Sequence, residues 1–217
     1  MDSEKLLEAL QDLHFDLRNK ISQAYNRSLS FEDELFDRWE RASFLGFGKD
    51  TSIYSNSLVI GDVKVGKETW IGPNTVLDGS GGLTIGDNCS ISAGVQLYTH
   101  DTVEKRVLNK NSESEIRPTN IGSNNYIGPL SIIRSGVTLG NNVLIGAHSY
   151  VNRDLPDFTV AVGVPCRVIG KIEIGDNQEL AINYTRKHNS QEALLKEIDN
   201  LKNRLSAIEK NMEGRNK

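Results

Sequence analysis

The sequence predicts a mainly β protein built as a parallel β-helix of hexapeptide repeats, with an N-terminal helical cap and a C-terminal helix. The first observation behind this prediction is an aliphatic residue at every sixth position through the middle of the chain. The second is a glycine beside many of these residues and a small or aliphatic residue four positions after them. The third is helical spacing at both ends of the chain. A helix with about 3.6 residues per turn cannot produce a strict period of six, whereas short strands joined at tight corners can.

The aliphatic repeat defines a predicted β-helix domain of residues 49–175. Each turn of such a helix stacks about 4.8 Å above the last and adds to a continuous aliphatic core. At three hexads per turn, the repeat predicts roughly four to five turns. A β-sandwich, whose strands follow one another at about 8 to 12 residues, fits so regular a repeat poorly. The repeat positions are Ile53, Val59, Val65, Ile71, Leu77, Ile85, Ile91, Leu97, Ile121, Ile127, Ile133, Leu139, Ile145 and Val151.

The repeat is interrupted at two places. Extra residues enter at a glycine pair, residues 81–82, and a longer break falls in the stretch QLYTHDTVEKRVLNKNSESEIRPTNIG, residues 96–122. His100 stands where this break begins, and residues 101–120 are predicted to form an inserted, unstructured loop. Long insertions in a compact repeat are usually functional or disordered. The loop is therefore a candidate functional site, whereas the repeat alone favours a solvated corner histidine for His100.

Helical segments are predicted on both sides of the repeat. Residues 1–48 carry leucines at helical spacing from Leu6 onward, and Ser30 followed by Asp33 is typical of a helix start. We expect these helices to cover the open N-terminal end of the β-helix. Residues 176–217 carry a heptad seam that favours either a short coiled coil among subunits or a single helix lying on its own chain. The seam residues are Leu194, Ile198, Leu201, Leu205, Ile208 and Met212.

Composition narrows the possible partners. The chain of 217 residues has a net charge of −4, which gives no basic field for nucleic acid. It contains no long apolar run, so no integral membrane segment is predicted, and its acidic N-terminus is unlike a secretory signal. We therefore expect a cytoplasmic protein. Cys89 and Cys166 lack the spacing of a metal site and are expected to be small buried residues.

Several motifs together resemble one known family. The hexads IGPNTV, IGDNCS, ISAGVQ and IGSNNY, the YTHD at the break and the GVPCRVI near the end of the repeat are similar to those of hexapeptide-repeat acyltransferases, especially the galactoside and maltose O-acetyltransferase branch. The resemblance covers roughly residues 50–172. It implies a left-handed β-helix, acetyl-CoA as co-substrate, and a homotrimer with active sites in the clefts between subunits. The hexads alone indicate only the fold, because carbonic anhydrases and non-catalytic subunits share them.

The resemblance gives His100 the position of the family's general base. A neutral imidazole is suited to accept the proton of a sugar hydroxyl as that oxygen attacks a thioester. A base of this kind usually needs a partner on its other nitrogen that fixes its tautomer. Asp101, Glu113, Glu115 and a backbone carbonyl are all open as that partner.

The predicted acceptor-binding residues are Asn74, Asp78, Asp101 and Tyr126. Asn74 and Asp78 can hydrogen-bond to sugar hydroxyls, although turn chemistry explains short polar residues at these corners equally well. Asp101 begins the loop that is expected to form one wall of the pocket. Tyr126 stands where the sugar acetyltransferases often have tryptophan, and an aromatic ring there can contact the acceptor or the pantetheine arm.

The predicted acetyl-CoA-binding residues are Ala147, Asn152, Arg167 and Lys171. The resemblance gives Ala147 a backbone contact to the pantetheine arm, and it places Arg167 near the nucleotide phosphates, where a fixed positive charge is useful. Lys171 is a candidate second cation. His148 replaces the family's usual glycine beside this path, and either contacts CoA or points outward from a corner.

The sequence therefore predicts an acetyl-CoA-dependent O-acetyltransferase that modifies a sugar hydroxyl, in a bacterial surface polysaccharide or its precursor. No activated serine or cysteine nucleophile stands out, so transfer is expected to be direct. The alternatives are N-acylation of a nucleotide-linked amino sugar, acetylation of an antibiotic, and a non-catalytic scaffold. A zinc hydratase would need three converging histidines, which the repeat does not supply, and no metal is expected.

Overall fold

The computed structural model describes residues 2–109, 115–175, 179–184, 198–202 and 204. The chain divides into two compact units, residues 1–183 and 184–217. In chain order the elements are α1 (Ser3–Tyr25), α2 (Phe31–Leu35), α3 (Arg38–Phe44), β1 (Ser52–Ile53), β2 (Leu58–Val65), β3 (Trp70–Ile71), β4 (Val76–Ile85), β5 (Ser90–Ile91), β6 (Gln96–Leu97), β7 (His100–Asp101), α4 (Val103–Val107), β8 (Glu115–Ile116), β9 (Thr119–Ile121), β10 (Tyr126–Ile127), β11 (Ile132–Ile133), β12 (Thr138–Leu139), β13 (Leu144–Ile145), β14 (Tyr150–Val151), β15 (Thr159–Val162), β16 (Arg167–Ile174) and β17 (Leu180–Tyr184).

The first unit is the predicted parallel β-helix, with short strands stacked on three faces. On the first face β1, β3, β5, β10, β13 and β15 pair in parallel. On the second face the start of β4 pairs with β6, followed by β11 and β14. On the third face the end of β4 pairs with β9, followed by β12. The strand β2 runs beside β4 across both of the latter faces.

Each face carries one inward column of aliphatic residues, which together form the core. The register places repeat residues opposite one another, as in Ile71 to Ile91 and Ile127 to Ile145. The inward side chains are fully or almost fully buried, which confirms the aliphatic repeat as the core pattern. They include Ile53, Ile71, Leu77, Ile85, Ile91, Leu97, Ile121, Ile127, Ile133, Leu139, Ile145 and Val151.

The expected four to five turns is an underestimate. The first face continues past Val151 to β15, where Ala161 pairs with Ile145, and Leu155 forms a parallel bridge with Leu139. The hexad pattern weakens here, since a small alanine fills the inward place and prolines enter the corners, so the period does not reveal this turn. The stack then ends where β16 pairs antiparallel with β15.

Close stacking of the coils requires glycine at particular corners. A Cβ on Gly128 would lie 2.5 Å from the backbone nitrogen of Ala147 in the next coil. Asn88 and Asn124 adopt positive φ at another corner, and their side chains hydrogen-bond to each other at 2.9 Å. These contacts explain why glycine and asparagine recur beside the aliphatic positions.

The N-terminal segment forms three helices. Ser30 precedes α2, as predicted, and its hydroxyl donates to Asp33 at 3.1 Å. Asp37 separates α2 from α3 and caps α3 by accepting from the amides of Trp39 and Glu40. The α3 helix packs against β1, the first strand of the β-helix.

Within the second unit, residues 198–202 and 204 are helical. The seam residues Ile198 and Leu201 lie in this helical stretch. Leu194, Leu205, Ile208 and Met212 lie outside the described residues. Across the described ranges, no helix combines the length and apolarity needed to cross a membrane.

The inserted segment is more ordered than expected. Strand β7 pairs antiparallel with β8, and α4 lies between them, so the described part is a hairpin with a short helix. The amide of Arg117 donates to the carbonyl of Thr99 at 2.8 Å and draws the returning chain back to the coil. Thr119 already belongs to β9, so the excursion ends before residue 120. A period of six gives no signal for local antiparallel pairing, which is why the prediction missed it.

Candidate active site

His100 lies at the corner between the second and third faces, where the regular stacking is interrupted. At this corner β2 and β4 pass from one face to the next as continuous strands, with an irregularity in their pairing between Gly61 and Val63. The excursion leaves the coil at the same corner one turn later. The interruptions of the repeat therefore gather in one part of the molecule.

Asp78 and His100 form the central pair of the site. His100 Nδ1 lies 2.7 Å from Asp78 Oδ2, within hydrogen-bonding distance. The carboxyl group is buried, with only 1% of the side chain exposed, whereas the imidazole is 36% exposed. The buried Asp78 carboxyl group thus holds one edge of the His100 ring, and the other edge of the ring is exposed to solvent.

The Asp78 carboxylate is held in place by its neighbours. Its Oδ1 accepts from the amide and the hydroxyl of Ser80 at 3.1 and 2.6 Å, and its Oδ2 accepts from the Thr99 amide at 2.9 Å. Burial raises the pKa of Asp78, but the hydrogen bonds from Ser80, Thr99 and His100 outweigh burial and hold that pKa well below its usual range. Asp78 is therefore an ionised hydrogen-bond acceptor at neutral pH.

The charge on Asp78 determines the tautomer of His100. An ionised carboxylate only accepts hydrogen bonds, so His100 Nδ1 must carry the proton and donate it. In the neutral ring, Nε2 then carries the lone pair. The arrangement leaves Nε2, the nitrogen that does not face Asp78, able to accept a proton, as a general base requires.

A cavity of about 580 Å³ adjoins His100. One wall of the cavity, the coil wall, is the outer side of the second face, and the opposite wall is the excursion with α4. The wall is largely apolar, with a few charged groups, which suits a site that binds an organic molecule. The lining residues are Tyr98, His100, Asp101, Val103, Glu104, Val107, Leu108, Glu115, Ile132, Arg134, Ser135 and Tyr150.

The structure brings together His100, Asp101 and Asp78, and separates the other predicted acceptor residues from them. Asp101 lines the cavity, and its Oδ1 accepts from the Val103 amide at 3.1 Å. Asp78 does not line the cavity, because both of its oxygens face Ser80, Thr99 and His100. Its position differs from the predicted contact with sugar, because Asp78 contacts His100 instead.

Asn74 and Tyr126 lie elsewhere on the chain. Asn74 follows the first face at positive φ, where it exchanges hydrogen bonds with Asn56 across neighbouring coils at 3.1 Å. Tyr126 is on the first face, in β10, and is exposed. Neither residue lines the cavity of its own chain.

The predicted CoA residues lie at the far end of the stack from α3. Ala147 and His148 are exposed at the corner between the first and second faces, and His148 has positive φ. Asn152 follows β14 at the His100 corner, and its buried Oδ1 has no hydrogen-bond partner in the described structure. Arg167 and Lys171 are exposed on β16. None of these five residues lines the His100 cavity.

The partner in contact with His100 is Asp78, which was not among the candidates that the sequence analysis named for this role. Asp101 and Glu115 lie in β7 and β8, and Glu115 pairs with Arg117. Glu113 lies outside the described residues. Sequence reasoning did not connect Asp78 with His100, because their separation of 22 residues follows no multiple of the hexad.

The cavity also contains residues that the sequence analysis missed. Tyr98, Arg134 and Tyr150 point outward from consecutive coils, and Ser135 follows Arg134. Tyr98 belongs to YTHD itself, and the other three residues belong to the hexads that stack on it. The sequence did not reveal this stacking order, because the length of the excursion was not known.

The two cysteines behave as predicted. Cys89 and Cys166 are buried free thiols, and burial raises the pKa of both. Among the described residues, no three His, Cys, Asp or Glu side chains form a group that could hold a metal ion.

The parallel β-helix of hexapeptide repeats is the fold of the hexapeptide-repeat transferases, and known sequences agree with this assignment. The signature "Bacterial transferase hexapeptide (six repeats)" matches residues 118–153, and "Hexapeptide repeat of succinyl-transferase" matches residues 62–99. Galactoside O-acetyltransferase of Escherichia coli is 38% identical over 53% of this chain, and the match spans 57% of that relative.

Two further comparisons extend over most of the chain. A Staphylococcus aureus protein assigned as an acetyltransferase is 33% identical over 75% of this chain and 79% of its own length. The crystal structure of a hexapeptide-repeat acetyltransferase from Vibrio cholerae with bound acetyl-CoA has a TM-score of 0.53 and 27% identity, and it covers 78% of this chain and 90% of that one. The chain belongs to the hexapeptide-repeat acetyltransferases, which makes it an acyltransferase by family.

Proposed function

We propose that the protein transfers an acetyl group from acetyl-CoA directly to a sugar hydroxyl, with His100 as general base. The observation that carries this proposal is the Asp78–His100 pair at the edge of the cavity, with Nδ1 held by a buried carboxylate at 2.7 Å. The galactoside O-acetyltransferase relative supports a sugar as the acceptor. A bacterial surface polysaccharide or its precursor is the proposed source of that sugar.

In the proposed reaction, His100 and Asp78 have different roles. Acetyl-CoA supplies a thioester whose carbonyl carbon takes the acceptor oxygen while the carbon–sulfur bond breaks. His100 Nε2 removes the proton of the attacking hydroxyl and then returns it to the sulfur that leaves as the thiol. Asp78 holds the ring and stabilises the imidazolium during this step, without taking the proton itself.

The separated residues suggest how the site is completed. Asn74, Tyr126 and Ala147 lie on the first face or its following corner, away from the His100 cavity of their own chain. In a homotrimer, the corner of one subunit would face the cavity of the next, and these residues would meet His100 there. Arg167 and Lys171 are exposed cations and remain candidates for the CoA phosphates.

The proposal is tested by measuring thiol release from acetyl-CoA with wild type, His100→Ala and the surface control Lys64→Ala. The acceptors are free sugars, oligosaccharides and nucleotide-linked amino sugars, and mass spectrometry locates the acetyl group. We expect acceptor-dependent release, an ester product, and a kcat lower by about 10²- to 10⁴-fold in His100→Ala only.

Two outcomes would contradict the proposal. An amide product with retained activity in His100→Ala would indicate an N-acyltransferase, since an unprotonated amine needs less help from a base. Absence of both CoA binding and thiol release would favour a non-catalytic scaffold.

A further inference from the structure

On the coil wall of the His100 cavity, Arg134 is a cationic side chain that has no partner among the residues that the structure describes. Arg134 follows β11 and lines the cavity, and its guanidinium has no hydrogen bond or ion pair with another described residue. Its backbone amide is used in the coil, where it donates to the carbonyl of Val151 at 3.0 Å. The backbone of Arg134 is therefore held in the coil, whereas the five N–H donors of its side chain are available to bind an acceptor.

The neighbour of Arg134 is a second unused polar group. Ser135 also lines the cavity and is only 5% exposed, yet its hydroxyl has no hydrogen-bond partner in the described structure. Buried hydroxyls are normally hydrogen-bonded, so an unpaired one beside a cavity indicates a missing partner.

The opposite wall of the cavity carries the contrary charge. Asp101, Glu104 and Glu115 lie on the excursion, and each has a partner: Asp101 accepts from the Val103 amide, Glu115 pairs with Arg117, and Glu104 has an interaction of its own. An anionic group would be repelled by this wall and attracted to Arg134 on the other. The charged side chains that line the two walls favour an orientation in which an anionic group lies beside Arg134.

Arg134 and His100 can reach the same small molecule. Ile133 lies opposite Leu97 in the register, so Arg134 is the next-coil neighbour of Tyr98. His100 follows Tyr98 by two residues, and both His100 and Arg134 line the same cavity. A single sugar ring with its substituents can therefore contact both side chains. The CoA phosphates do not fit this position, because the pantetheine arm separates them from the thioester that His100 must approach.

From these contacts we infer that the acceptor carries an anionic group, a carboxylate or a phosphate, which Arg134 binds while a hydroxyl of the same sugar meets His100 Nε2. This inference rests on the proposed O-acetyl transfer and specifies its substrate class. Tyr98 and Tyr150 contribute flat apolar surface on the same wall, against which the ring of the sugar packs. Arg134 is thus a specificity-determining residue, not a participant in proton transfer.

The test compares acceptors that differ only in charge. Hexuronic acids are measured against their methyl esters, and sugar phosphates against the free sugars, so the two pairs distinguish carboxylate from phosphate. Wild type, Arg134→Gln, Arg134→Lys and the control Lys64→Gln, which removes an exposed cation from another part of the coil, are assayed by thiol release at low and high ionic strength. The readout is the ratio of kcat/KM between the charged and the neutral member of a pair.

We expect wild type to prefer the anionic member of one pair by about 10- to 100-fold, mainly through KM, and we expect added salt to reduce the preference. Arg134→Gln should bring the ratio near one, Arg134→Lys should keep part of it because lysine lacks the bidentate fork, and Lys64→Gln should keep all of it. A wild-type ratio near one in both pairs, or an equal loss on both members in Arg134→Gln, would overturn the inference alone. Failure of every sugar to accept acetyl would overturn the proposed function and this inference together.

Discussion

Replacing Asp78 by asparagine keeps the size of the side chain and removes the charge that faces His100. In wild type, Asp78 Oδ2 accepts from the Thr99 amide and from His100 Nδ1, and Oδ1 accepts from Ser80. The asparagine amide can present its oxygen to only one of these two sides. On the other side, its NH₂ group meets another donor, and a hydrogen bond is lost.

The magnitude follows from the type of contact that is lost. The imidazolium formed during transfer would lose the negatively charged acceptor that lies 2.7 Å from His100 Nδ1 in wild type. Bonds to charged groups contribute about 1.5–3 kcal/mol, which corresponds to a kcat about 10- to 150-fold lower. KM values should change little, because Asp78 does not line the cavity. The unmatched donor in a buried place should also lower the free energy of unfolding by about 1–3 kcal/mol.

The assay measures kcat and KM for Asp78→Asn beside Asp62→Asn, which neutralises an exposed carboxylate in the neighbouring strand β2. Urea unfolding of the same variants measures stability. The reasoning is refuted if Asp78→Asn keeps kcat within about twofold of wild type, or if Asp62→Asn loses as much. A loss confined to KM would instead place Asp78 in direct contact with substrate, as the sequence analysis expected.

Two further predictions concern the stability of the coil. The pKa of Asp78 is depressed in the folded state, so its contribution to stability is present above the unfolded-state pKa of about 3.9 and is lost as pH falls through the lower folded-state pKa. The unfolding free energy of wild type should therefore fall towards that of Asp78→Asn below about pH 4. A difference between the two proteins that stays constant down to pH 2 would contradict this prediction. Gly128→Ala should lower the free energy of unfolding by about 1–3 kcal/mol, because its Cβ would lie 2.5 Å from the backbone of Ala147. Gly175→Ala, whose Cβ would lie 3.7 Å from its nearest neighbour, should change the free energy of unfolding by no more than about 0.5 kcal/mol in urea unfolding. Equal effects of the two substitutions would show that the coils can separate with little loss of stability.

The β-helix could be predicted from the sequence because one rule acts at every turn. A residue such as Ile91 is fully buried between the same kind of neighbour above and below, Ile71 and Ile127. Any polar or poorly shaped residue there would leave a buried defect, so the period persists. The last turn escaped prediction where this rule relaxes and Ala161 fills the inward place.

The candidate site could be predicted only in part. His100 was found because it stands at the break and belongs to a familiar motif. Its partner was missed because the hexad count assigns residues to faces but does not fix how a corner bends once extra residues enter. Arg134 and Tyr150 were missed for a related reason: each looks like an ordinary outward residue until the stacking places it beside the excursion.

The two interruptions of the repeat fit each other in the structure. A Cβ on Gly81 would lie 2.5 Å from the side chain of Ile116 and 2.7 Å from the carbonyl of Thr99, so only glycine lets the excursion return against this corner. Gly81 also donates its amide to the Thr99 hydroxyl at 2.8 Å, and that hydroxyl donates to the Asp78 carbonyl at 2.8 Å. The extra residues at the glycine pair therefore leave space for the excursion and provide the contacts that hold Asp78 next to His100. Irregularity in a strict repeat lowers stability where coils must stack, so its concentration at the corner of Asp78 and His100 supports the proposal that this corner has a functional role.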